Sequence, residues 1–560
     1  MTTHSPADSI KTTSFVRPSI WSAGAIGIAV PISIPIIAIL LTFLTPTSEV
    51  WEHLRESVLL EYIVNTIILL ILVGGLSAAM GVVTAWLVAT RNFPGRGWIM
   101  WALMLPIAAP AYVVAYAYAD LLSFAGPVQS MLREAGWLAG AMPSIRSLPG
   151  ASFVLAITLY PYIYLFSYNA FSQQAKPLTE AARMLGARST KAFFRVALPH
   201  ARPAIAGGVA LALMEAAADF GVVDFFGVPT LTNGIFRTWY AQGEHQAAMQ
   251  LAGWLFVVVA ILVLLEQSAR RGSHANPVTR NIAAQRIEQS RGKGLICLGV
   301  CLIPIMLGIV LPTVVFIYHA LTTGDPLMGA RFFGYITNTL SVAAIAAVLA
   351  VLCALWLNYA VRQQSQRSRI LTISVRVSTL GYAVPGMVLA IGLIGPLTDL
   401  DKWLAENVNP VLGLPGGLLL TGSTATLIFV YLARFLTVAY NSCEGGMTRI
   451  HTQYDAAAKS LGASPGRMLR QIHLPIMTPT VLTALLLVFV DVVKELPATL
   501  ILRPFNFETL ATRTYRLASD ERIAEASTAA LIIVLVGLIP AILIAWQNFG
   551  NKSQVNQNSF

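Results

Sequence analysis

The chain is poor in charge. Only 11% of its 560 residues are Asp, Glu, Lys or Arg, against about 25% in soluble domains, which excludes an ordinary water-soluble fold. It is poor in cysteine too. Cys297 and Cys301 lie one helical turn apart in an apolar run, Cys353 in another, and Cys443 at the end of a third. They read as buried thiols, without a disulfide framework or metal-ligand spacing. The eight histidines show no ligand spacing, and His200 and His473 read as surface residues. A phosphate-binding loop is missing, because Gly292-Lys293 lacks both the upstream glycine and the following hydroxyl. ATP hydrolysis by this chain is therefore not expected, and no nucleophile–base pair marks a catalytic centre.

What the chain has is apolar length: 56% of its residues are hydrophobic. Twelve runs are each long enough for a bilayer core of about 30 Å: about 19–44, 59–90, 98–120, 151–171, 204–226, 248–265, 294–319, 337–361, 370–396, 422–441, 480–501 and 528–546. The first is too long for a secretory leader and reads as a retained span. The expectation is an all-α integral membrane protein lying in a lipid bilayer. The net charge of +11 does not indicate nucleic acid, because 24 of the 37 basic residues fall in alternate loops on one side. That asymmetry puts both termini in the cytoplasm.

The runs form two halves. Tyr62-Ile-Val-Asn65-Thr66 opens the second run and Tyr335-Ile-Thr-Asn338-Thr339 the eighth. Ala109-Pro110 matches Val384-Pro385, and Tyr168-Asn169 matches Tyr440-Asn441. The expected organisation is a six-helix repeat over 1–270, a cytoplasmic linker over 271–293 and a second repeat over 294–560. An even number of spans makes the repeats parallel.

Between the fourth and fifth run of each half lies a polar insert, Glu180 to Pro203 and Ala456 to Pro479, with matching positions 276 residues apart. Gly186 and Gly462 suit a turn after a short helix. Ser464-Pro465 suits the start of a second helix, which is expected to end before Pro199 or Pro475.

Glu215 and Asp219 in the fifth run, and Asp491 and Glu495 in the eleventh, are each four apart, so each pair is expected to share one helix face. Intramembrane carboxylates usually face a cavity or a partner. Four around one axis suit passage of a hard cation, and Lys494 and Arg434 are the available internal partners. Arg237 and Arg513, again 276 apart, fall in outer loops, where they suit either docking of a binding protein, the reading preferred, or capping of their own loops.

The insert pattern resembles the coupling motif of ABC importer permeases. The first copy matches in Glu180, Ala181, Ala182, Gly186, Val196, Leu198 and Pro199. The second matches in Ala457, Ala458, Gly462, Ile472, Leu474 and Pro475, with Ala456 where Glu is expected and Asp455 one position earlier. The resemblance implies the type I permease fold of that family, an insert docking into each of two ATPase subunits, and a substrate-binding protein on the outer face. It also implies that ATP is used by the partners, with no cofactor bound by this chain. Met214–Tyr240 and Val493–Ala526 look like the ferric iron branch, in which the two halves are fused. Thiamine and aminoethylphosphonate permeases share that layout. A duplicated secondary transporter or channel is the rival of another class, although it has no need of two docking motifs.

Overall fold

The computed structural model describes residues 20–46, 48–137, 140–173, 184, 189–270, 287–363, 368–412 and 418–554. Among these, 11 helices are long and apolar enough to cross a membrane. The fold is all-α apart from one short parallel pairing. In it Arg91–Asn92 lies beside Ile287–Glu288, fastened by Asn92 Nδ2 donating to Glu288 Oε1 at 2.8 Å.

The count is 11 and not twelve because the ninth run is broken and the helix that follows the break carries Asp399, Asp401 and Lys402. Arg369–Ser378 is followed by a gap and then by Gly386–Asn407. The third run breaks at the matching place, between Arg96–Ala108 and the helix beginning at Ala111. Proline is the cause. It has no N–H to give and pushes the preceding residue toward extended backbone. Ala109 has ψ 121, Pro110 ψ 140 and Pro385 ψ 140.

Other prolines do the opposite of what their sequence predicts. The helices through Leu198-Pro199 and Leu474-Pro475 do not end there, and each continues from its insert into the membrane span, as Phe193–Ala218 and Pro465–Val493. A single wide turn precedes each Leu-Pro, Phe193–Ala197 and Leu469–His473. A third precedes Leu311-Pro312. In each, the leucine N–H reaches back five residues instead of four. The wider turn admits the proline ring that a regular α-turn would exclude.

The first helix of each half packs on the other half. Ile20–Thr42 lies against Ala330–Gln363, Arg369–Ser378 and Gly386–Asn407, where Trp356 Nε1 donates to the Trp21 carbonyl at 3.2 Å. The span Arg291–Thr322 lies against first-half helices, where the Tyr118 hydroxyl donates to the Leu307 carbonyl at 2.9 Å.

Candidate substrate cavity and coupling segments

Three helix breaks meet at one cavity of about 110 Å³. One is the proline break at Ala109-Pro110. The other two end the fifth and eleventh spans. Helix Leu198–Ala218 stops at Asp219, whose backbone is extended at ψ 130. The Asp219 carboxylate then accepts from Val222 N–H at 2.9 Å and caps the short helix Gly221–Phe225. Helix Leu474–Val493 stops at Lys494. Glu495 accepts from Ala498 N–H at 3.0 Å and Thr499 N–H at 3.1 Å, capping Pro497–Leu502. A carboxylate suits that place because it satisfies amides at a helix start and meets the positive end of the dipole.

These ends correct one expectation. Glu215 and Asp219 do not share a continuous helix face, nor do Asp491 and Glu495, because the helix stops inside each pair. All four nevertheless line the same cavity, with Tyr112, Tyr162, Arg434 and Lys494. Lys494 Nζ is 2.8 Å from Asp491 Oδ1. Arg434 Nη1 is 2.9 Å from Glu495 Oε1 and its Nη2 is 4.0 Å from Glu215 Oε2. Gly386 makes room for this, since a Cβ there would lie 2.4 Å from Arg434 Nη1. Tyr112 stands two residues past the Ala109-Pro110 break, and nothing in the sequence distinguishes it from other tyrosines of apolar helices.

The repeated Tyr-Ile-x-Asn-Thr stretch fastens the loop that follows the broken fifth or eleventh span of each half. Asn65 Nδ2 donates to the Pro229 carbonyl at 3.0 Å, and Asn338 Nδ2 to the Glu508 carbonyl at 3.1 Å. Thr66 Oγ1 accepts from Leu231 N–H at 3.1 Å, and Thr339 Oγ1 from Leu510 N–H at 2.8 Å. Leu231–Tyr240 and Leu510–Ser519 are therefore equivalent helices, capped by Thr230 and Thr509. Counting from those caps corrects the outer arginines. Arg237 is exposed and corresponds to Arg516, also exposed. Arg513 corresponds to Gly234 and is buried, with Nε 3.0 Å and Nη2 2.8 Å from Asp325. It is an internal strut and offers nothing to a docking protein in this conformation. The loop before the second helix is three residues longer, so the constant offset of 276 fails beyond it.

In the first insert, Glu180, Ala181, Ala182 and Gly186 lie outside the described residues, while Leu198 and Pro199 lie at the wide turn. The second insert is described throughout. Its short helix is Thr452–Ser460, Gly462 turns the chain at φ +74, and Ser464 Oγ accepts from Arg467 N–H at 3.4 Å to start the next helix. Ala457 is exposed beside Tyr454 and Leu461, whereas Ala458 faces inward.

Asp455 also faces inward. Its Oδ2 accepts from Arg362 Nε at 2.7 Å and its Oδ1 lies 2.8 Å from His473 Nε2. Arg362 also donates to the Met447 and Ile450 carbonyls. Burial alone would raise the Asp455 carboxyl, but hydrogen bonds from Arg362 and His473 hold it below the usual range. His473 is fully buried and not a surface residue. Its position in a basic segment hid that role, as did that of Arg362 at the end of a span.

Broken helices around a charged cavity, with a turned insert on the side opposite the stapled loops, define a duplicated membrane transport subunit. The chain belongs to the family described as the binding-protein-dependent transport system inner membrane component, which matches it twice, over residues 77–265 and 364–550. It is thus the multi-pass permease of an ABC importer, a class that works with an ATPase and a substrate-binding protein. Over 542 residues it is 26% identical to the Fe(3+)-transport system permease protein FbpB 2 of Haemophilus influenzae, covering 94% of this chain and 98% of that one. The sulfate transport system permease protein CysW of Escherichia coli is 28% identical over 36% of this chain and 69% of its own length. The putative 2-aminoethylphosphonate transport system permease protein PhnV of Salmonella typhimurium is 26% identical over 41% of this chain and 78% of its own.

Proposed function

We propose that the chain is the permease of a ferric iron importer in a bacterial inner membrane, with both termini cytoplasmic. A binding protein delivers the cargo outside, and two ATPase copies, one per insert, drive alternating access inside. ATP binding closes the ATPase pair, the inserts follow, and the cavity changes the side to which it opens. The chain supplies no ATPase site.

One observation carries the substrate class. The cavity has four carboxylates and two cations, and both cations are held by carboxylates. Sulfate or a phosphonate would meet a surplus of like charge, whereas a hard cation would meet oxygen donors. The near full-length likeness to a Fe(3+) permease supports the same reading.

The test is uptake of labelled ferric iron by iron-starved cells with and without this chain, with labelled thiamine and sulfate in parallel. Loss of iron uptake alone supports the assignment. Loss of thiamine or sulfate uptake alone removes it and leaves the importer class standing.

A further inference from the structure

The two halves do not line the cavity equally. Tyr162 and Arg434 hold equivalent places, six residues before Tyr168 and Tyr440. Ala218 and Lys494 are equivalent, three residues after Glu215 and Asp491. Tyr112 and Met387 are equivalent, two residues after Pro110 and Pro385. The first half thus supplies Tyr112, Tyr162, Glu215 and Asp219, all oxygen donors. Both cations come from the second half, and each is paired with a carboxylate of that half.

The second-half wall is therefore self-neutralised. Glu495 is further occupied by the amides of Ala498 and Thr499 and the Thr499 hydroxyl. On the first-half wall, Asp219 takes only backbone amides, from Val222 and Val223, and forms no ion pair among the described residues. Glu215 has Arg434 at 4.0 Å, the limit of an ion pair, and accepts a hydrogen bond from the Tyr382 hydroxyl.

A second, independent feature points to a ligand. Tyr112 lines the cavity and is 4% exposed, yet its hydroxyl has no hydrogen-bond partner among the described residues. Its charged neighbours are Glu495 and Asp219. The buried hydroxyls of Tyr116 and Tyr160 are unpaired among the described residues as well, but neither lines the cavity, and a buried unpaired hydroxyl calls for an explanation. Among the described residues no three His, Cys, Asp or Glu side chains converge tightly enough to hold a metal ion.

We propose that Tyr112, Glu215 and Asp219 of the first half form the cation-receiving wall of the cavity, taking a hard metal cation in transit, while the second half supplies a neutral wall. The inference rests on the ferric reading above. When a ferric ion engages Tyr112, the hydroxyl gives up its proton to water and the phenolate oxygen donates to the metal, with no change of oxidation state. Anionic oxygen is the donor such a cation prefers.

The test uses the full chain with its ATPase subunits. Ferric nitrilotriacetate added to the purified complex produces a visible phenolate-to-iron absorbance in the wild type, and Tyr112→Phe abolishes it. In iron-starved cells, Glu215→Gln and Asp219→Asn each lower labelled ferric uptake by about tenfold or more, the loss of one charge-assisted contact, with ATPase co-purification unchanged. Unchanged uptake in Asp219→Asn and Glu215→Gln, or an absorbance that survives Tyr112→Phe, overturns the wall. A wild type that takes up no ferric iron overturns the ferric reading itself, which separates the two failures.

Discussion

Arg434 reaches between the halves: its Nη1 is 2.9 Å from Glu495 of its own half, and its Nη2 is 4.0 Å from Glu215 of the other. Both Arg434 and Glu495 are buried. Arg434→Gln strands Glu495 and is expected to cost about 3–5 kcal/mol. Arg434→Gln/Glu495→Gln recovers much of that loss. Thermal unfolding of the solubilised permease measures both, and a double variant no more stable than the single one refutes the coupling.

Arg513 and Arg516 are expected to separate cleanly. Arg513→Ala leaves Asp325 buried and unpaired, costing about 3–5 kcal/mol, and lowers membrane abundance. Arg237→Glu/Arg516→Glu leaves abundance normal and slows capture of the binding protein by roughly tenfold, as rim charges act chiefly on association. Stimulation of ATPase activity by increasing binding protein reads this directly.

Asp455 gives the second insert a pH dependence. Its carboxyl titrates below the usual range, so the folded state holds fewer protons there than the unfolded one. The stabilisation is complete above the unfolded value of about 3.9 and is lost as pH falls through the lower folded value. Asp455→Asn removes that slope and at neutral pH costs roughly 1.5–3 kcal/mol for the charged hydrogen bonds. Unfolding of wild type and variant from pH 7 downward provides the comparison.

Gly462 stands at φ +74, where a side chain costs about 1–2 kcal/mol. Gly462→Ala is expected to weaken ATPase co-purification while leaving the unfolding temperature of the membrane core within error. Changing Gly186 and Gly462 together abolishes the association. Retention of the ATPase by that double variant refutes docking at the inserts.

Thr339 Oγ1 accepts the buried Leu510 amide. Thr339→Val orphans that N–H and costs about 1–3 kcal/mol, whereas Thr339→Ser keeps the bond. Accessibility of a cysteine placed at exposed Arg516 should rise in the valine variant only.

Much of the architecture was legible because a bilayer imposes one rule on every span: about 20 apolar residues. The breaks were harder to read. Ala109-Pro110 and Val384-Pro385 marked the repeat, yet proline both stops a helix and, after a wide turn, lets one pass, as at Pro199. Only tertiary packing decides between these. The carboxylates were visible as charges in apolar runs, but their four-residue spacing lost its meaning once the helix ended within it. The outer arginines slipped because a longer loop moved the true partner to Arg516. Tyr112 and His473 gave no signal, since their significance comes from neighbours distant in sequence.

The wide turn before Leu474-Pro475 also decides how force travels. Pro465–Val493 is one helical rod of 29 residues, and at about 1.5 Å per residue it spans roughly 43 Å. One end carries the turn at Gly462 and the other ends beside Asp491 and Lys494. The rod has a wide turn near its insert end and no loop anywhere along it. A displacement of the insert would therefore reach the Asp491–Lys494 pair through one continuous helix, without a separate relay.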